Sequence, residues 1–258
     1  MLLAIDSGNT NIVFAVFDDD GVIQGEWRSS TTSERTADEY GIWLIQLMEM
    51  ANIVRTEIKD AIIASVVPAT VFSLKTLCRT YFSCEPLIVA DDNVNLGLNV
   101  CVDKPEEVGD DRLVSALAAY EQFGGPLIVV DFGTATTFDV IGEGGNYQGG
   151  VIAPGVNLSL EALHRAAAKL PRVAIERPEK VVGQATVPAM QSGIFWGYIS
   201  LIEGLVERIS TEMGNTPKVI ATGGLSPLFA EFTDAISESV PELTLRGLYS
   251  IYKRNIQE

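Results

Sequence analysis

One short phrase occurs twice in this chain. The apolar run Leu2-Leu3-Ala4-Ile5 ends in Asp6-Ser7-Gly8-Asn9-Thr10-Asn11, and Leu127-Ile128-Val129-Val130 ends in Asp131-Phe132-Gly133-Thr134-Ala135-Thr136-Thr137. Each reads as a buried strand that stops at Asp-x-Gly and opens into hydroxyl and amide side chains. Glycine lets the backbone turn there and lets a ligand come close. Turn N–H groups and hydroxyls suit phosphate oxygens, and each aspartate suits a cation that accompanies phosphate. A chain built this way is constrained to two similar halves, expected to face each other across a nucleotide's phosphate tail. The chemistry this points to is phosphoryl transfer.

Length and charge narrow the choice. A chain of 258 residues can bury a core in each half. Its net charge of −16 disfavours nucleic acid, whose backbone is bound by Lys and Arg. The same acidity asks that a nucleotide arrive with magnesium, held by amides and hydroxyls more than by lysines. No stretch approaches the roughly 18 apolar residues of a membrane span. The start, Met1-Leu2-Leu3-Ala4-Ile5-Asp6, lacks the basic region of a signal peptide. Cys78, Cys84 and Cys101 form no CxxC pair and read as small core residues in a reducing compartment, so the expected location is cytoplasmic.

The local signals follow the repeat. Residues 12–17 and 22–28 read as strands joined by the turn Asp18-Asp19-Asp20-Gly21. Residues 36–51 read as a helix capped by Thr36 and Glu39, 61–67 as a strand, 71–81 and 112–123 as helices and 86–89 as a strand. In the second half 127–131, 137–141, 147–152 and 218–221 read as strands, and 158–170, 187–213, 225–230 and 244–255 as helices. Gly124-Gly125-Pro126 marks the boundary, giving domains 1–123 and 124–258 with no low-complexity linker.

This plan resembles the actin-like, sugar-kinase-like ATPase fold: α/β, two ribonuclease H-like domains, each a mixed sheet flanked by helices, with a cleft between them. Within that group the chain closely resembles the type III pantothenate kinase family over nearly its whole length. The segments that carry the resemblance are DSGNTNIV (6–13), ERTADEY (34–40), SVVP (65–68), EVGDDR (107–112), DFGTATTFD (131–139), GGVIAPG (149–155), AKLP (168–171), AMQSG (189–193) and ATGGL (221–225). Any one would be weak, whereas all of them in order are specific. The resemblance implies ATP-dependent phosphorylation of pantothenate, the first step of coenzyme A synthesis, by a homodimer whose active site is completed at the subunit interface.

Asp6, Ser7, Gly8, Asn9, Thr10, Asn11, Ile12 and Val13 form the expected ATP-phosphate segment, with Asp6 at the magnesium; the bland alternative is a polar β-turn. By resemblance, Asp131 holds a monovalent cation, K+ or NH4+, and Thr134 contacts ATP. Transfer to an alcohol needs a carboxylate to accept its proton, and by resemblance that residue is Asp111. Arg112 can grip an acceptor carboxylate with two parallel hydrogen bonds. Gly109, Asp110, Asp111 and Arg112 are expected to line the pantothenate site with Thr186 and Val102. The alternative role for the two aspartates is helix capping, and the two roles are compatible.

Three sites, four residues in all, depart from the family pattern on the acceptor side. Asp110 stands where a small residue is usual, Val102 where a tyrosine is usual, and Ala166-Ala167 where Arg-Thr is common. An extra charge at Asp110 should raise the proton affinity of Asp111 and repel a carboxylate substrate. These departures motivate two rivals, a same-fold kinase for another small alcohol and a kinase-inactive regulatory protein. Gly149-Gly150 and Pro154-Gly155 read equally as an acceptor approach or as turns. Thr222-Gly223-Gly224 matches an adenosine-side loop. His164 and the Phe195-Trp196-Tyr198 set read as surface and packing residues.

Overall fold

The computed structural model of the chain describes residues 1–166 and 170–256. Ala167 and the first two residues of the AKLP segment lie outside the described residues. Two compact units form. One contains Met1–Asn99, Asp103–Ala118 and the C-terminal stretch from Thr244; the other contains Val100–Val102 and Ala119–Leu243. The division differs from a single cut at Gly124, because the last helix returns to the first unit.

The first unit is built on β1 (Leu2–Ser7), β2 (Asn11–Phe17), β3 (Ile23–Ser30), β4 (Asp60–Ser65) and β5 (Leu87–Ile88), in the order β3-β2-β1-β4-β5. β1 runs antiparallel to β2 and parallel to β4. Strand alternation sends neighbouring residues to opposite faces, and both faces are covered. Leu3, Ile5, Ile12 and Phe14 pack under α1 (Ala37–Met50) and α2 (Pro68–Phe82), against Tyr40, Leu44, Leu74 and Leu77. Leu2, Ala4, Ala15 and Ile62 pack against Val114 and Leu117 of α3 (Asp110–Phe123) and against Leu245, Leu248 and Ile251 of α7 (Leu243–Asn255). The α1 capping box forms as read, with Thr36 and Glu39 each satisfying the other's backbone N–H.

The second unit repeats the plan. Its sheet combines β6 (Asn99–Val100), β7 (Leu127–Phe132), β8 (Ala135–Ile141), β9 (Asn146–Pro154), β10 (Lys218–Thr222) and β11 (Glu238–Ser239), in the order β11-β10-β7-β8-β9-β6. Apart from β6, this is the order of the first sheet. The correspondence reaches single residues. β1 and β7 share one burial pattern, with Asp6 and Asp131 each the partly exposed penultimate residue between buried neighbours. The register slips late in the paired strand of both hairpins, at Val16/Phe17 in the first unit and at Val140/Ile141 in the second. α4 (Val156–Ala166), α5 (Thr186–Met213) and α6 (Ser226–Ala230) accompany this sheet, and Ile128, Val130, Phe132 and Phe138 pack with Phe195, Ile199 and Phe229. The Phe195–Tyr198 aromatics belong to this core. Ring stacking links Phe132, Phe229 and Phe195.

Two short strands, β6 and β11, carry too few residues for an alternating pattern to show in sequence. Cys78 is buried and Cys84 half-buried, but Cys101 is exposed rather than a core residue. No helix among the described residues is long and apolar enough to cross a membrane.

Candidate active site

The first loop grows out of the β1–β2 hairpin. Asp6 pairs with Val13 across the hairpin and with Ala64 on β4, and it lies on the sheet face that α3 covers. Its Oδ1 is buried at the end of the strand. Ser7 points to the opposite face, where its hydroxyl hydrogen bonds with Thr70 Oγ1 at 2.8 Å. Ser7 and Ile12 are fully buried, so neither side chain reaches a ligand, and Val13 is half-buried. Phosphate contacts from Ser7 and Ile12 would therefore run through their backbone. The period of two along a strand hides every second residue. Asn9, Thr10 and Asn11 are exposed and Gly8 is partly so. The turn is closed by Gly8 N–H bonding to Asn11 O at 3.0 Å. Thr31, just past β3, braces it: its N–H bonds to Thr10 O at 3.0 Å and its hydroxyl donates to Gly8 O at 2.6 Å.

The acidic pair sits at the head of α3 in the same unit. Gly109 O accepts the N–H of Arg112 at 3.1 Å and of Leu113 at 3.3 Å, so the helix starts on the glycine. Asp111 Oδ1 also accepts the Arg112 N–H, at 2.8 Å, sharing that donor with Gly109 O. A Cβ at Gly109 would stand 2.7 Å from Asp111 Oδ1 and 3.3 Å from Val66 Cγ1, so only glycine leaves the carboxylate its place. Asp110 takes the backbone N–H of Ser65, at the end of β4. Burial pushes the Asp110 carboxyl above its ordinary range; the Ser65 bond opposes this and the neighbouring Asp111 charge adds to it. Ser7 and Ser65 are register partners on parallel strands. The loop, the SVVP turn and the Asp110–Arg112 segment therefore share the carboxyl ends of β1 and β4, where open α/β sheets place ligands.

In the second unit Asp131 ends β7, opposite Thr137 on β8 and Thr222 on β10. Gly223 has φ +86°, and a Cβ there would stand 2.6 Å from Asp131 Oδ1 and 2.7 Å from Phe132 O. The Thr222-Gly223-Gly224 segment thus meets the Asp131 carboxylate, a contact the sequence did not suggest. Gly155 packs on the loop from another side, since a Cβ there would fall 2.2 Å from Thr134 O. Tyr198 of α5 donates to Pro154 O at 2.8 Å and steadies that approach. Behind Thr137 lies a buried chain of polar groups: Thr137 Oγ1 and Tyr147 OH donate to the two oxygens of Asp139, at 3.0 and 2.7 Å. The sequence clue to this chain was a carboxylate inside a buried strand, between Phe138 and Val140.

The remaining expected substrate residues are placed separately. Val102 lies beside Gly149, whose added Cβ would meet Val102 Cγ1 at 3.6 Å. Thr186 is exposed at the first turn of α5. His164 is engaged with Leu170 O at 2.6 Å through Nδ1. Among the described residues no group of three or more His, Cys, Asp or Glu side chains could hold a metal ion.

A duplicated sheet carrying Asp-x-Gly loops at the ends of β1 and β7 is the actin-like fold of the sugar-kinase group. Solved structures agree on the fold. A Campylobacter jejuni protein named for the Baf family of transcriptional activators superposes with TM-score 0.62 at 20% identity, over 99% of this chain and 100% of that one. A protein from Sinorhizobium meliloti named for 2-dehydro-3-deoxygalactonokinase gives 0.58 at 14% identity, over 98% and 96%. The model of the type III pantothenate kinase family matches residues 2–208, and the chain belongs to that family. A type III pantothenate kinase of Paramagnetospirillum magneticum is 67% identical, over 99% of this chain and 98% of that protein. One of Rhodospirillum rubrum is 62% identical, over 99% of each.

Proposed function

We infer that this chain transfers the γ-phosphoryl group of ATP to the primary hydroxyl of pantothenate, giving 4′-phosphopantothenate and opening coenzyme A synthesis. Full-length membership in the family carries this reading. The acidic head of α3 supports the roles below.

In the reaction the hydroxyl oxygen of pantothenate bonds to the γ-phosphorus as the bond to the bridging β,γ oxygen breaks, and ADP leaves with that electron pair. Asp111 takes the hydroxyl proton. Its carboxylate is held by Arg112 N–H and by the space that Gly109 leaves, so it is oriented before substrate arrives. Arg112 binds the carboxylate of pantothenate with its paired donors, and Gly109, Asp110, Val102 and Thr186 complete the acceptor contacts. Residues 8–11 receive the phosphates through amides and side chains, and Thr134 contacts ATP from the second loop. Asp6, a carboxylate at the end of β1, would hold magnesium, which would offset the charge developing on the phosphates. Asp131, cradled by Gly223, fits K+ or NH4+. ATP and pantothenate are the small-molecule partners, the assembly is a homodimer, and the location is the cytoplasm.

The test is Asp111→Asn. Loss of the proton acceptor should lower kcat by about 10²–10⁴-fold, with ATP affinity retained. A variant that turns over at the wild-type rate would remove Asp111 from this role.

A further inference from the structure

We propose that Thr31 is a positioning residue for ATP, acting through the first loop without touching the nucleotide. The inference rests on the reading of residues 8–11 as a phosphate site. Thr31 reaches that loop from a strand end distant in sequence. It uses both of its donors, N–H to Thr10 O at 3.0 Å and Oγ1 to Gly8 O at 2.6 Å.

Both bonds fall on carbonyls. In a trans peptide the N–H of the next residue points opposite to the carbonyl, and the only cis peptide bond among the described residues is Gly125-Pro126. Holding Gly8 O and Thr10 O on the Thr31 side therefore turns the amides of Asn9 and Asn11 away from it. A largely exposed loop is thus set before the ligand arrives, which reduces the ordering cost of binding.

Thr31 is itself anchored. Arg35 donates to Ser29 Oγ at the end of β3, and its guanidinium lies 4.5 Å from the Tyr40 ring centroid and 5.2 Å from that of Trp43. The ERTADEY segment therefore serves the phosphate loop at second hand, through the strand end that carries Thr31.

The experiment compares Thr31→Val, Thr31→Ala and Thr31→Ser with wild type, reading KM for ATP, KM for pantothenate, kcat and thermal midpoint. Amide hydrogen exchange of residues 8–11 in the wild-type protein, with and without ATP, is measured alongside. Loss of one part-buried hydroxyl bond should raise KM for ATP about three- to tenfold in the Val and Ala variants. KM for pantothenate should stay within about twofold, and Ser should restore the wild-type value. A merely structural role would shift the thermal midpoint and leave KM for ATP alone, which overturns the proposal. ATP protection of residues 8–11 together with wild-type KM in both hydroxyl-less variants overturns it as well, while sparing the loop. Absence of protection in wild type removes the phosphate reading itself, and the proposal with it.

Discussion

At the scale of single residues, the acidic head of α3 carries the sharpest prediction. Asp110 accepts Ser65 N–H beside Asp111, and burial raises its carboxyl above the ordinary range. A carboxyl raised in the folded state binds its proton more tightly there than in the unfolded chain. Stability is then lost as pH rises through that window. Asp110→Asn removes the charge and keeps an oxygen to accept from Ser65. Its thermal midpoint should exceed wild type at pH 7, and the gain should shrink as pH falls into the carboxylate range. A melting series from pH 7 to pH 4 checks this, and the same variant should bind pantothenate with a lower KM because a repelling charge is gone. Ser7 shows how strand alternation decides which way a side chain faces: it turns inward, and the helix above it supplies Thr70 as partner.

At the scale of elements, capping and glycine placement decide most. Thr36→Ala should cost about 1 kcal/mol through the lost capping box, lowering the thermal midpoint by about 2–4 °C without changing KM for either substrate. Gly223→Ala should behave otherwise. Its φ of +86° and the 2.6 Å approach to Asp131 Oδ1 leave no room for a methyl group, so the Asp131 loop must shift. The expected cost is about 1–3 kcal/mol, together with loss of any stimulation by K+ over Na+, read from rates in the two salts. Most elements were legible because their signals are local: Thr36 with Glu39, Pro68 at the first turn of α2 and the apolar runs of β1, β4 and β7. The contacts of Thr31, Gly223 and Gly155 with the loops were not legible. They join positions far apart in sequence, and no local pattern marks them.

At the scale of the whole molecule, the repeated phrase was the reliable guide, since it predicted a duplicated sheet and the strand orders agree. The grouping of α7 with the first unit was not readable from it, because a returning helix carries an apolar stripe that would serve either unit. The acidic charge of −16 matters here too, making nucleotide affinity depend on accompanying cations. The most direct test of the account is product formation by the purified chain with ATP, magnesium and potassium, with and without pantothenate. The account predicts ADP release that requires pantothenate, matched mole for mole by 4′-phosphopantothenate in the mass spectrum. ATP binding without pantothenate-dependent release would contradict it.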